Sequence, residues 1–116
     1  MKTKGKIKMT TKKKTSAKKY PAVVIRAYSG VFFGYLKAKR GGGEHFDVEL
    51  VNARHVWRWK SDGLPRKALT VEDLALIGAG GGTKISGRVN QAIADVKVIV
   101  FATAEAAGRF EALPCL

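Results

Sequence analysis

The chain of 116 residues carries a formal net charge of +13 and a single cysteine, Cys115. This length predicts one domain, because two smaller domains would each lack a core large enough to be stable without disulfides or metals. One cysteine excludes a disulfide framework, and His45 and His55 lack the spacing of zinc ligands, so we expect neither a metal nor a cofactor. No apolar run reaches the roughly 20 residues of a membrane helix, and no apolar segment follows the first lysines as in a secretory signal. We therefore expect a soluble cytoplasmic protein.

Most of the positive charge lies in residues 1–19, which hold nine lysines and no acidic residue. The other 97 residues hold 13 basic and nine acidic groups. A segment with so little to bury and so much like charge is expected to be disordered. Its lysines either keep the protein soluble or attract nucleic acid in a salt-sensitive way. We therefore predict a lysine-rich tail at residues 1–19 and a single ligand-binding domain at residues 20–116.

Three strands are predicted in the first half of this domain. Residues 21–29, PAVVIRAYS, and residues 31–39, VFFGYLKAK, are apolar and rich in β-branched or aromatic residues, which favours strands. The glycines at 41–43 allow the chain to reverse. Residues 46–50 then alternate apolar and acidic side chains, as a half-buried strand does. The simplest arrangement of these segments is an antiparallel meander.

The next segment, VNARHVWRWK at residues 51–60, holds both tryptophans of the chain. Because a strand alternates its side chains, Trp57 and Trp59 are expected on one face and Arg58 on the other. Arg54 follows a turn at Asn52 and is expected to reach the tryptophan side. The tryptophans either belong to the core or form a flat surface for a ligand, and we expect at least one of them in the core.

Two short helices are predicted in the second half of the domain. Thr70 and Asp73 have the spacing of a capping box, and Gly78 follows the last apolar residue of the segment. A helix is therefore expected to begin at Thr70 and to end at Gly78. Thr103 is expected to cap a second helix that runs toward Leu113.

Two further strands are predicted at residues 84–89 and 95–101, where β-branched residues are frequent. Residues 80–84, GGGTK, superficially resemble a phosphate-binding loop. They lack the GxxxxGK[ST] spacing and lead into a strand, so a flexible connector is the better interpretation. Together these segments predict the α+β class: a small β-rich domain with an antiparallel sheet of five or six strands and two short helices.

Binding is a better prediction than catalysis. Neither histidine and no cysteine lies in a pattern typical of a nucleophile with its base. A ligand with flat bases and phosphates would instead need aromatic faces and arginine forks. Arg26, the one charge in an apolar strand, and Arg54 are the first candidates. An ion pair with one of three acidic residues is the alternative role for Arg26: Glu44, Glu49 or Asp95.

Five segments, in this order, resemble one known family: VIRAYSGVFFGYL, VELVNARHVWRWK, LTVEDLALIG, TKIS and VKVIVFATAEAA. It is the family of phage Thoeris anti-defence sponges of the first type, together with related small phage proteins of formerly unknown function. The resemblance covers nearly everything after residue 20, and Asn-Ala-Arg-X-X-Trp-X-Trp is its most specific part. It implies a non-catalytic protein that sequesters cyclic nucleotide immune signals in the host cytoplasm, chiefly glycocyclic ADP-ribose and in some cases cyclic oligonucleotides. It also implies a homo-oligomer with ligand pockets at subunit contacts.

The same resemblance implies that Arg26 and Arg54, which fall in matching motifs, contact phosphate or ribose. Ile85 stands where members of the family often carry an aromatic residue. The alternative function is a small phage nucleic-acid-binding protein that uses its basic tail, and a third is an interaction protein without a small ligand. The full set of candidate ligand-binding residues is Arg26, Tyr28, Ser29, Asn52, Arg54, Trp57, Lys84 and Ser86.

Overall fold

The computed structural model describes residues 19–42 and 45–115. Most of the lysine-rich tail predicted at residues 1–19 therefore lies outside the described residues. The described part contains five strands and two helices in the order β1 Ala22–Ala27, β2 Gly30–Gly42, β3 His45–Arg58, α1 Val71–Ile77, β4 Lys84–Ile85, β5 Val89–Phe101 and α2 Ala104–Ala112.

The pairing of the strands closes on itself. β1 pairs with β2 and with β5, and β3 pairs with the other edges of the same two strands. Four antiparallel strands therefore form a ring, and the short β4 adds to β3. This confirms the predicted fold class and the meander of the first three strands. Closure also satisfies strand edges that would otherwise be open to pairing with another chain.

The sheet separates two groups of buried side chains, because neighbours along a strand point to opposite faces. In β1, Val23 and Ile25 face one side, whereas Val24 faces the other. The first group, the barrel cluster, consists of Val23, Ile25, Ala27, Phe32, Val48, Leu50, Ala53, Ile93 and Val96. The second, the helix-side cluster, consists of Val24, Phe33, Val56, Ala68, Val71, Leu74, Ala75, Ala79, Ile85 and Phe110.

Helix α1 has the ends that the sequence predicts. The Thr70 hydroxyl accepts a hydrogen bond from the Asp73 N–H at 3.2 Å, and the Asp73 carboxylate accepts one from the Thr70 N–H at 3.3 Å. These two bonds form the capping box. At the other end Gly78 has a φ of 85°, which a residue with a Cβ rarely adopts. Thr103 likewise caps α2, as predicted.

The prediction of a strand at residues 84–89 is wrong in its length, since β4 ends at Ile85. The residues that follow turn toward α2. Arg88 donates from Nε to the Glu111 carboxylate at 2.8 Å, and the Ser86 carbonyl accepts from Arg54. The Ser86 N–H still donates to the His55 carbonyl of β3 at 3.0 Å, and the chain leaves the sheet after it, where Arg88 binds the end of α2. β5 then begins at Val89 and is longer than the predicted strand at 95–101.

Candidate functional site

Arg54 is the largest fully buried side chain of the described residues and is only 1% exposed. Its Nε donates to the Ser86 carbonyl at 2.8 Å, and its Nη1 donates to the Phe110 carbonyl at 2.7 Å. Phe110 lies in α2, so this guanidinium ties β3 to the second helix. Burial lowers the pKa of Arg54 below its ordinary value, and the nearby Arg88 lowers it further. Arg54 thus lies on the helix side of the sheet, where Trp59 also packs, whereas Trp57 lies beside His55; whether Arg54 binds a ligand stays a prediction.

The two tryptophans lie in different environments because a β-bulge interrupts the alternation of β3. The register against β4 shifts between Val56 and Arg58, and such a bulge inserts one extra residue into the strand. Trp57 stays on the side of His55, with ring centroids 5.3 Å apart. Trp59 instead packs against the helix-side cluster, and its Nε1 donates to the Ala68 carbonyl at 2.9 Å. The prediction that the tryptophans share a face is therefore wrong.

The same bulge changes the place of Arg58. The shift that carries Trp59 to the helix side leaves Arg58 on the side of Trp57, and not on the opposite face as predicted. Lys84 pairs with Arg58 across β3 and β4. It precedes the buried Ile85, so alternation directs Lys84 away from the helix side. Trp57, Arg58 and Lys84 are all exposed.

A surface of aromatic and basic groups results, and we name it the aromatic–basic patch: Tyr28, His55, Trp57, Arg58 and Lys84. His55 stacks on the Phe32 ring at a centroid distance of 4.5 Å. A Cβ added to Gly30 would lie 2.6 Å from the His55 Nε2, so the turn with Tyr28 and Ser29 borders the imidazole. Tyr28 is 86% exposed and Trp57 is 53% exposed. The patch therefore offers open aromatic faces beside two cations.

A cleft of about 280 Å³ lies elsewhere, between the outer face of the sheet and the start of α1. Arg26 reaches it because its strand neighbours in the register, Val31 and Val98, face the same side. We name it the Arg26 cleft, and its walls are formed by Arg26, Val31, Trp59, Leu69, Thr70, Val71, Glu72 and Val98.

Five of the seven arginines already have partners within the described residues. Four of them form ion pairs with carboxylates: Arg40, Arg66, Arg88 and Arg109. Arg54 is held by backbone carbonyls. Arg26 and Arg58 are exposed, and their guanidinium groups make no hydrogen bond or ion pair to any described residue. These two guanidinium groups are therefore ready to bind an external anion.

The eight candidate residues thus do not form one site. Tyr28, Ser29, Trp57 and Lys84 lie in or beside the aromatic–basic patch, and Arg26 lies in the cleft. Two others hold the fold together: Arg54, and Ser86, whose hydroxyl accepts from the His55 N–H at 2.8 Å. The eighth, Asn52, lies at a shift in the register of β3 against β5; it has a φ of 52°, and its N–H donates to the Asn90 side chain.

A family model described as a domain of unknown function, DUF6948, matches residues 20–110. This match covers well over half of the chain and includes all five strands, α1 and most of α2. The chain belongs to the DUF6948 family. No curated protein and no solved structure matches the chain. Since the description of DUF6948 assigns no function, the functional assignment of this domain depends on the geometry of its sites.

Two features are absent from the part of this DUF6948 chain that the structure describes. Across residues 19–42 and 45–115, no group of three or more His, Cys, Asp and Glu side chains is arranged to hold a metal ion. Neither helix of this part is long and apolar enough to cross a bilayer. Ile85 is fully buried in the helix-side cluster, so it gives this DUF6948 domain no stacking surface.

Part of both sites is not predictable from the sequence. Trp59, Leu69 and Glu72 line the cleft, but no motif in the sequence connects them with Arg26. The cleft forms only when β1 packs beside the segment before α1, and these are distant in the chain. Arg58 was missed because the bulge depends on the pairing of β3 with β4. A two-residue strand such as β4 has too weak a pattern to reveal that pairing.

Lowering the pH is expected to destabilise this DUF6948 domain through His55. Burial lowers the pKa of the His55 imidazole below its ordinary value of 6.5. The unfolded chain then binds a proton more readily than the folded one, so the contribution of His55 to the free energy of unfolding falls as the pH drops below about 6.5 and is constant above it. Denaturant unfolding at a series of pH values measures this effect. His55→Gln is expected to remove this part of the pH dependence, and an identical profile in the variant would contradict the assignment.

Proposed function

We propose that the protein is a non-catalytic phage sponge that sequesters cyclic nucleotide immune signals in the host cytoplasm. The observation that carries this proposal is the guanidinium of Arg26, which faces a cleft beside an indole and has no partner in the described part of the chain. A guanidinium binds phosphate through two parallel hydrogen bonds, and an aromatic face stacks on a base. The family resemblance implies the same ligand class, chiefly glycocyclic ADP-ribose.

The walls of the Arg26 cleft suit a nucleotide. Trp59 is held in place by its bond to the Ala68 carbonyl, so its ring is ordered before a ligand arrives. Val31 and Val98 add apolar surface. Glu72, on the opposite wall, offers oxygens that accept hydrogen bonds from a ribose hydroxyl or an exocyclic amine. One anion site and one acceptor site in a single cleft favour a nucleotide over a simple polyanion.

The size of the cleft bears on assembly. Its volume of about 280 Å³ is slightly below the range of typical ligand pockets, about 300 to 1,000 Å³. It therefore holds one nucleotide unit and leaves the rest of a cyclic dinucleotide exposed. A second copy of the chain would supply the missing wall, and Leu69, 72% exposed at the rim, offers apolar surface for it. We therefore propose a homo-oligomer with the ligand between subunits.

Replacing Arg26 with alanine is expected to weaken ligand binding by about one to two decades. This range corresponds to the loss of a charge-assisted hydrogen bond worth about 1.5 to 3 kcal/mol. Calorimetric titration with isomers of glycocyclic ADP-ribose, cyclic dinucleotides and cyclic trinucleotides measures the change. Arg40→Ala is the matched control, because Arg40 is an exposed arginine whose partner is Glu49.

Equal affinity in the Arg26→Ala variant and in wild type would contradict the proposed site. A melting curve for each variant separates lost binding from lost folding. No heat with any of these ligands would reject the sponge function and leave nucleic-acid binding as the alternative. The basic tail on which that alternative first rested lies outside the described residues, apart from its last lysine.

A further inference from the structure

The aromatic–basic patch differs from the Arg26 cleft in shape. Trp57 is 53% exposed, and its ring is tilted by 57° to the His55 imidazole, with the ring centroids 5.3 Å apart. A small planar ligand on such a surface would be stacked on one side and would leave its other side in water. A polymer can instead cross an open surface and add several weak contacts along its length. The shape therefore favours an extended ligand.

The charges of the patch favour a polyanion. Arg58 and Lys84 are partners across β3 and β4, and like charges placed opposite each other destabilise a sheet. Neither makes an ion pair with a described carboxylate. Two successive phosphates, one beside each cation, would reduce the repulsion, and each would receive a charged donor. Binding an anion would thus stabilise the pair of Arg58 and Lys84. Four other arginines of the domain already have a carboxylate as partner.

We propose that the aromatic–basic patch binds a single-stranded polynucleotide. An unpaired base stacks on the exposed face of Trp57, and Arg58 and Lys84 bind the phosphates that flank it. The exposed ring of Tyr28, in the turn beside His55, is the next stacking surface along the strand. Base stacking requires bases that are not paired, so duplex DNA gains only the phosphate contacts.

Fluorescence of the full chain tests this proposal with an oligothymidine of about ten nucleotides, within the site sizes known for such surfaces. A base stacked on Trp57 is expected to quench tryptophan emission. Trp57→Leu is expected to abolish the quenching and to weaken binding about tenfold. Trp59→Phe is the matched control and is expected to keep the quenching, because Trp59 faces the helix side.

The double variant Arg58→Ala with Lys84→Ala tests the phosphate contacts. It is expected to lower the slope of log affinity against log salt by about 1.4, since each phosphate contact on a single strand contributes about 0.7. Lys37→Ala with Lys39→Ala removes the same charge from exposed positions in the distal half of β2, and its slope is expected to remain close to that of wild type. Arg58 and Lys84 are exposed, so replacing them is not expected to unfold the protein. If Trp57→Leu lowers the melting temperature, the salt slopes of the two double variants still test whether the patch binds phosphates.

Wild-type quenching and an unchanged salt slope in the patch variants would overturn the proposal and assign nucleic-acid binding to the tail alone. Duplex DNA that quenches tryptophan emission as strongly as the single strand would overturn it as well. The test is independent of the sponge function, because that function requires Arg26 and Trp59. Trp57→Leu is expected to retain cyclic-nucleotide affinity, so either proposal can fail without the other.

Discussion

Replacing Arg54 with methionine is expected to lower the free energy of unfolding by roughly 3 kcal/mol or more. The guanidinium makes two hydrogen bonds as a charged donor, each worth about 1.5 to 3 kcal/mol. Without the guanidinium, the carbonyls of Ser86 and Phe110 lose their partner in a buried place. Methionine keeps much of the side-chain volume, so the loss reports the hydrogen bonds more than a cavity.

Urea unfolding followed by circular dichroism measures this loss. The matched control is Arg58→Met, since Arg58 is exposed and has no partner among the described residues; its effect is expected to stay within about 0.5 kcal/mol. Equal stabilities for the two variants would show that Arg54 does not anchor the second helix. A stable Arg54→Met protein that no longer bound nucleotides would restore Arg54 to the ligand site.

The second large effect is expected at Gly80, where alanine should destabilise the fold by roughly 3 kcal/mol. A Cβ at this position would overlap the backbone of Asp62. The Gly80 N–H also donates to the Lys60 carbonyl at 2.7 Å, and its own carbonyl accepts from the Thr83 hydroxyl at 2.7 Å. The glycine cannot move away from the overlap without breaking these bonds.

Gly81→Ala is the control for this prediction. The nearest atom to a Cβ at Gly81 is the Asp62 Cβ, at 3.8 Å, which is an ordinary contact. Gly80→Ala is therefore expected to lower the melting temperature much more than Gly81→Ala, although the two glycines are neighbours in the sequence. Equal melting temperatures would mean that the glycine run is the flexible connector predicted from sequence. A large difference would assign Gly80 to close packing of two backbone segments.

The local features of the fold were predictable, and the reason is visible at α1. The capping box at Thr70 and Asp73 and the stop at Gly78 involve residues that are close in the chain, so their spacing carries the signal. The first three strands were predictable for the same reason, since each pairs with the next through a short connection. β4 was predicted too long because the hydrogen bonds of Arg88 to α2 depend on distant residues.

The candidate site was less predictable because its residues are placed by long-range pairing. Period-two alternation describes β3 as far as Trp57. The bulge opposite Lys84 then places Arg58 on the side of Trp57 and Trp59 on the helix side, the reverse of the prediction. The buried position of Arg54 depends on the carbonyl of Phe110 in the last helix. The residues around an arginine in a strand do not show whether its side chain will hold another part of the fold or bind a ligand. Arg26 and Arg54 were therefore indistinguishable in the sequence.

The closed ring of strands has a consequence for the order of folding. β1 finds its second partner only in the last strand, where Val24 pairs with Val100. The ring therefore cannot close until residues near 100 have been synthesised, whereas the hairpin of β2 and β3 forms from neighbouring segments. Contacts between such distant parts of a chain slow folding. During that interval the apolar edge of β1 is exposed, and the nascent chain depends on dilution or chaperones to avoid pairing with another copy.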